Sequence, residues 1–168
     1  MRFVGAGLLL FGGILSGYLL CRELNEREKM LSELHRILTW MEDRLRYRLT
    51  PLPELLSEAS EKTQGELRSV LTEAVLLLES NRLSDCEECM TIVIQNHSRL
   101  PQQAAFLLKM LGTSMGQFDL TGQLNQLAWV EAECTRCLRQ IRQEKPGKRK
   151  IYQTLGFCAG AALALLLI

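Results

Sequence analysis

Two long stretches without charge, one near each end of the chain, constrain the fold more than any other feature. Residues 3–21, FVGAGLLLFGGILSGYLLC, carry no charged side chain, and residues 151–168, IYQTLGFCAGAALALLLI, carry none either. As helices these stretches are roughly 27 to 29 Å long, which matches the hydrocarbon thickness of a bilayer. One such stretch could be a buried helix of a soluble protein, but two at opposite ends favour the membrane. We therefore predict transmembrane helices at residues 1–22 and 148–168.

The charged residues are confined to the middle of the chain and indicate its orientation. All 19 acidic residues, and every basic residue except Arg2, lie between residues 22 and 150. Basic residues beside a span favour the cytoplasmic side. Those beside the predicted spans are Arg22, Arg27, Lys29, Arg142, Lys145, Lys148, Arg149 and Lys150. We therefore expect residues 23–147 to form a cytoplasmic domain, and its balanced charge argues against nucleic acid as the principal partner.

Apolar residues recur at intervals of three, four and seven through this middle segment, which predicts helices throughout. The first span is expected to continue as one helix to about Tyr47. Pro51 and Pro101 are expected to start two further helices, because proline suits the first helical turn. No segment alternates in the way a half-buried strand does. The predicted fold class is all-α: a cytoplasmic helical bundle flanked by an N-terminal and a C-terminal transmembrane helix.

The last helix of the bundle has a predicted start and a predicted end. Asp119 or Thr121 is expected to cap its N-terminus, since short polar side chains accept hydrogen bonds from the backbone N–H groups there. Its apolar face continues to about Glu144. The sequence KPGK at residues 145–148 is then expected to break the helix before the second span, because proline lacks the N–H donor and clashes with the preceding turn.

Two CxxC pairs are the strongest candidates for chemistry. They are CEEC, with Cys86 and Cys89, and CTRC, with Cys134 and Cys137. Paired CxxC units can bind zinc tetrahedrally. Both pairs lie within helical periodicity and fall on apolar stripes, so we interpret them as core residues that pack as small hydrophobes. A membrane-tethered protein that uses the two pairs for zinc binding or thiol-redox chemistry is kept as the alternative.

Nothing else in the sequence predicts an enzyme. The two histidines, His35 and His97, lack a nearby set of residues that resembles a nucleophile and its base, and we interpret them as surface or helix-end residues. The sequence contains no phosphate-binding loop, no dinucleotide-binding glycine pattern and no HExxH motif. We therefore predict no catalytic residue, no cofactor and no small-molecule substrate.

Each predicted span contains a pair of glycines four residues apart. The pairs are Gly13 with Gly17, and Gly156 with Gly160. Small residues at this spacing let helix backbones approach closely in lipid. Counted from the cytoplasmic ends of the spans, the two pairs lie at similar depth. They are therefore expected to face each other, so that the spans pack together; the alternative is that they contact another subunit.

Three segments of the sequence carry a resemblance to a known family. They are YRLTPLPELLSEAS at residues 47–60, LGTSMGQFDLTGQ at residues 111–123 and KIYQTLGFCAGAALALLLI at residues 150–168. In these segments, and over essentially its full length, the chain resembles the stage III sporulation protein AB family. The positions that match the family's motifs are Leu111, Gly112, Ser114, Gly116, Asp119, Leu155, Gly156, Phe157 and Gly160.

The resemblance implies a function without catalysis. Members of the family have a span at each end of a helical cytoplasmic domain, and that domain is similar to the F platform protein of type II secretion systems. The family belongs to the A–Q complex, which joins mother cell and forespore during endospore formation. By this resemblance the chain would act as a scaffold in the outer forespore membrane. It would bind the AA-type ATPase and other channel components from the mother-cell cytosol; whether it forms homo-oligomers is left open.

Overall fold

Most of the residues that the structure describes lie in helices. The computed structural model describes the backbone of residues 2–48, 50, 52–80, 86–116 and 119–167, and within it the side chains of residues 19, 22–48, 50, 54–80, 86–113, 119–147, 151, 154 and 158. The elements in these ranges are the α-helices α1 (Arg2–Arg48), α2 (Leu52–Glu61), α3 (Gly65–Glu79), α4 (Cys86–Asn96), α5 (Gln102–Gly116) and α6 (Leu120–Leu167). None of these ranges contains a strand, so the predicted all-α class is confirmed.

The chain divides into two compact units. The terminal unit comprises Met1–Lys29 together with Arg139–Ile168, and the central unit comprises Met30–Leu138. These units group residues by packing, whereas the predicted domain boundaries after residues 22 and 147 mark the ends of the membrane spans. Those boundaries stay predictions.

The charge-free stretches lie in the first and last helices. Among the helical residues that the structure describes, none forms a segment long and apolar enough to cross a membrane. Most of the side chains of residues 3–21 and 151–168 lie outside the described residues. The two predicted transmembrane helices therefore stay a prediction.

The core of the central unit is built from apolar side chains that recur along each helix. On α1 these are Leu31, Leu34, Leu38, Met41 and Leu45, each at most 7% exposed. Their spacing of three and four residues keeps them on one face of the helix, so the predicted apolar stripe is confirmed there. The other helices contribute buried residues that include Leu55, Leu56, Leu67, Leu71, Met90, Leu107, Leu108, Leu127 and Val130.

Short connections join neighbouring helices in this unit. Helix α2 packs against α3, α3 against α4, and α4 against α5. Gly65, the first residue of α3, has a φ of +57°, a left-handed conformation that glycine adopts without steric cost. The backbone N–H of Gln64 donates to Glu33 Oε1 at 2.8 Å, and Arg36 donates to the carbonyl oxygen of Lys62 at 2.8 Å. Helix α1 therefore holds the α2–α3 turn in place.

Asp119 starts the last helix. The backbone N–H of Gly122 donates to Asp119 Oδ1 at 3.0 Å, and Asp119 immediately precedes α6. This is the hydrogen bond of an N-cap residue. Of the two predicted caps, Asp119 is therefore confirmed, and Thr121 is the second residue of the helix.

The predicted break at residues 145–148 is wrong. Helix α6 continues through Pro146 to Leu167. A proline removes one N–H donor and crowds the carbonyl four residues earlier, which costs about 3 kcal/mol and can kink a helix without ending it. Here Arg142 and Lys145, in the turn before Pro146, both bind the carboxylate of Glu28 on α1. These contacts hold that turn in its helical position.

Candidate functional site

The motif residues at the end of α5 lie where two helices come together. Leu111 is 1% exposed, and Gly112 faces α4. A Cβ atom at Gly112 would lie 2.8 Å from Met90 Cγ, 2.9 Å from Met90 Cβ and 3.0 Å from the carbonyl oxygen of Cys86. A Cβ atom therefore fits only if α4 moves away slightly, because Met90 Cβ is fixed to the helix backbone and the carbonyl oxygen of Cys86 lies beside it. The glycine lets α4 and α5 pack as a close pair, which we call the α4–α5 hairpin.

The remaining motif residues divide into described and undescribed positions. Asp119 caps α6, as shown above. Ser114 and Gly116 belong to α5, but their side chains lie outside the described residues. The same holds in α6 for Leu155, Gly156, Phe157 and Gly160, and in α1 for Gly13 and Gly17. The predicted packing of the spans through their glycines therefore stays a prediction.

The CxxC pairs lie in helices, as predicted. Cys86 and Cys89 are buried on α4, at 4% and 0% exposure, and Cys134 is buried on α6 at 0%. Cys137, one turn after Cys134, is only half-buried. The interpretation as core residues is therefore confirmed for the first three cysteines.

Burial also sets the chemistry of the second pair. The Cys134 thiol donates to the carbonyl oxygen of Leu31 at 3.5 Å, and burial raises its pKa to about 12. The pKa of Cys137 is raised as well, chiefly by burial. The thiolate is the form that binds metals and attacks disulfides. At neutral pH both side chains are thiols, which does not favour a redox centre.

The four cysteines do not form a metal centre. They all belong to the described residues, and in that part of the chain no three or more His, Cys, Asp or Glu side chains are grouped so that they could hold a metal ion. The sequence pattern suggested zinc because it shows spacing within each pair. It does not show whether two pairs 45 or more residues apart in the chain meet in the fold.

His97 has partners that the sequence did not reveal. It follows the last residue of α4, so the helix-end interpretation is confirmed, but its ring is bound by α3. Nδ1 lies 2.8 Å from Glu66 Oε1, and Nε2 lies 2.9 Å from Glu73 Oε2. Asn96 donates to the other oxygen of Glu73 at 2.8 Å. The His97 side chain is 16% exposed, Glu66 24% and Glu73 35%, so the ring is largely covered while Glu73 stays partly open to solvent.

The family of the chain follows from a comparison with protein families. The model for stage III sporulation protein AB (spore_III_AB) matches residues 2–168. The chain belongs to the stage III sporulation protein AB family. The resemblance found in the motif segments is thereby confirmed, and membership in the sporulation protein AB family implies a role in sporulation. No curated protein and no solved structure matches the chain significantly.

Membership in the sporulation protein AB family gives the motif turn a structural meaning. Leu111 and Gly112 set the approach of α5 to α4, and Asp119 starts α6. These residues position helices. The motif is therefore best understood as the part of the family sequence that shapes the central unit.

The central unit also presents large apolar side chains to solvent. Trp129 on α6 is 58% exposed, Phe106 on α5 is 53% exposed and Leu76 on α3 is 61% exposed. Exposed aromatic residues, tryptophan above all, are enriched among the residues that dominate protein–protein binding energy. Trp129 is therefore the described residue that best fits an anchor for a protein partner.

Proposed function

We propose that this protein is a non-catalytic membrane scaffold of the channel between mother cell and forespore. Two transmembrane helices, residues 1–22 and 148–168, anchor it, and residues 23–147 form the cytoplasmic domain. That domain docks the AA-type secretion ATPase and the other channel components. The observation that carries the proposal is the match of the sporulation protein AB family to residues 2–168.

The membrane part of the proposal is supported by the charge distribution. Two stretches of 18 or more uncharged residues flank a segment that holds all the acidic residues. In the proposed arrangement the basic residues near both spans lie on the cytoplasmic side, as the positive-inside rule requires. The charge distribution gives only the orientation; the location, the outer forespore membrane with the central unit in the mother-cell cytosol, is proposed from the family resemblance.

Alkaline carbonate extraction tests the two spans. We expect the full chain to stay with the membrane pellet. Replacing Leu9→Arg together with Leu163→Arg should release it or block its insertion, since an arginine within a span is costly, by about 2.5–3.5 kcal/mol at the centre and less towards the ends. The matched pair Leu9→Ile with Leu163→Ile should behave as the parent. Recovery of the parent chain in the soluble fraction would contradict the proposed anchoring.

Docking of the ATPase is supported by the exposed aromatic side chain of Trp129 on the central unit. The test is co-purification of the full chain, in detergent, with the AA-type ATPase, with and without nucleotide. Failure to bind under both conditions would remove the ATPase as a partner and would leave the all-α fold intact.

A pair of α6 variants locates the docking surface. Trp129→Ala should weaken ATPase binding about tenfold or more, as truncation of an interface anchor does. Leu120→Ala is the matched control, because this exposed residue lies nine positions earlier and hence on the opposite side of α6. Equal binding by both variants would place the docking surface elsewhere.

A further inference from the structure

The geometry around His97 specifies its protonation state. An ionised carboxylate only accepts hydrogen bonds, and a neutral imidazole carries a single N–H. Both ring nitrogens of His97 lie within 2.9 Å of carboxylate oxygens, one from Glu66 and one from Glu73. Only the doubly protonated ring can donate to both. The contacts therefore require an imidazolium.

The surroundings of the ring agree with this requirement. The charged groups that face His97 are Glu66 and Glu73, both on α3 and seven residues apart, which places them on one face of the helix. From the end of α4 the neighbouring polar group is Asn96, which is uncharged and donates to Glu73. The hydrogen bond to Glu66, followed by that to Glu73, raises the pKa of His97 above its usual value of 6.5.

We propose that the doubly protonated His97 is a pH-dependent latch that fastens the α4–α5 hairpin to α3. The ring is attached at the α4 end of the connection between α4 and α5, and its two hydrogen bonds end on α3. When the ring loses a proton, one nitrogen presents a lone pair to a carboxylate oxygen. One of the two hydrogen bonds is then replaced by repulsion, and the hairpin loosens.

The direction of the pH dependence follows from the raised pKa of His97. In the unfolded chain the ring titrates near 6.5, and in the folded chain it titrates higher. The stabilising contribution is therefore fully present below pH 6.5 and is lost as the pH rises through the folded-state pKa. The latch is closed on the acidic side and opens on the alkaline side. Opening loosens the α4–α5 hairpin from α3, whereas the contact between α4 and Gly112 lies within the hairpin.

Nitrogen NMR of the histidine rings tests the protonation state without any substitution. In the full chain at about pH 6.5, where an ordinary histidine is half protonated, His97 should carry a proton on both ring nitrogens in the larger part of the molecules. The other histidine, His35, has a less enclosed ring and serves as the internal reference. A neutral His97 with one protonated nitrogen at this pH overturns the proposal.

Hydrogen exchange of the full chain tests the latch itself. The exchange rates are first corrected for the pH dependence of the intrinsic exchange rate. The opening equilibrium of the α4 and α5 amides should then increase roughly tenfold between about pH 6 and about pH 9. The α2 amides, which the latch does not contact, serve as the reference. In His97→Gln the amides should open readily at both pH values, without a step. His35→Gln, the matched control, should keep the step.

Two results would overturn the latch. One is an absence of the pH step in the parent chain, and the other is a step that persists in His97→Gln. If His97→Gln does not fold, Glu66→Gln is used instead. This variant keeps the shape of the residue 66 side chain and leaves the contact between His97 and Glu73 in place. It should move the step to lower pH, and an unmoved step would count against the proposal.

Discussion

Gly112 lies inside α5, where glycine is less favourable than alanine by about 1 kcal/mol. Glycine is favourable here because the missing side chain leaves space for Met90 and for the carbonyl oxygen of Cys86. Cys134 shows the complementary case, a polarisable side chain that fills the core and donates a hydrogen bond to a backbone carbonyl. At both positions a residue that looks functional in the sequence is explained by its packing.

The close approach at Gly112 predicts a strong effect of adding one methyl group. Gly112→Ala should lower the free energy of unfolding by about 1–2 kcal/mol, because the clash with the start of the Met90 side chain and with backbone outweighs the gain in helix propensity. Gly147→Ala, on α6 with nothing within 4 Å, should be neutral or stabilising by up to about 1 kcal/mol. Denaturant unfolding of the two variants compares these effects, and equal stabilities would contradict the packing argument.

The burial of Cys134 leads to a second prediction about single residues. Cys134→Ser should lower the free energy of unfolding by about 1–2 kcal/mol, since a hydroxyl replaces a thiol in an apolar site. Cys137→Ser should cost less, because Cys137 is only half-buried. Sporulation should continue in both variants, and purified protein should contain no stoichiometric zinc. A loss of sporulation in both variants, with stability retained, would favour the redox alternative instead.

Local sequence rules predict one boundary of α6 correctly and another wrongly. Asp119 satisfies a free N–H at the start of α6, which a reading of the sequence predicts correctly. Pro146 is the opposite case: a local rule predicts a helix end, yet α6 continues. The contacts of Arg142 and Lys145 with Glu28 join residues more than 110 positions apart, so no local pattern reveals them.

The N-cap predicts which residue at the start of α6 matters. Asp119→Ala should destabilise the first turn of α6 by about 0.5–2 kcal/mol, as N-cap removals do. Thr121→Ala, the other candidate from the sequence, should change stability by less than about 0.5 kcal/mol. Hydrogen exchange of the first turn, together with thermal unfolding, measures both. A larger effect at Thr121 would show that the cap is assigned to the wrong residue.

For the whole molecule, ion pairs in both units give stability a pH dependence. In the terminal unit, hydrogen bonds from Lys145 and then Arg142 lower the pKa of Glu28 below 4.5. In the central unit the hydrogen bond from Asn96, with that from His97, lowers the pKa of Glu73. His97 has the opposite shift. The free energy of unfolding is therefore expected to fall at low pH, where these carboxylates become protonated, and at high pH, where His97 loses its proton.

Thermal unfolding between about pH 3 and about pH 9 checks this expectation. The carboxylate contributions are present above pH 4.5 and are lost as the pH falls through the lowered folded-state values. The His97 contribution is lost as the pH rises through its raised value. Glu28→Gln should flatten the acidic side, and His97→Gln should flatten the alkaline side. A parent midpoint that does not vary with pH would contradict both assignments.

The fold class, the apolar stripe on α1 and the cap at Asp119 can be predicted from the sequence, because each depends on residues a few positions apart. The sequence does not reveal the partners of His97, which lie 24 and 31 positions away on α3. Nor does it reveal the role of Gly112, which depends on the distance between two helices. The family resemblance is visible in the sequence because each motif segment is a short continuous stretch, whereas the structural role of its residues depends on the fold.

The burial of cysteines on two different helices has a practical consequence. A thiol-specific reagent reaches Cys86, Cys89 or Cys134 only when the helix that carries it opens. Since α4 carries two of these residues and α6 the third, the rates at which the peptides gain mass rank the opening of the two helices. The chain thus contains its own reporters of local unfolding, without any introduced cysteine.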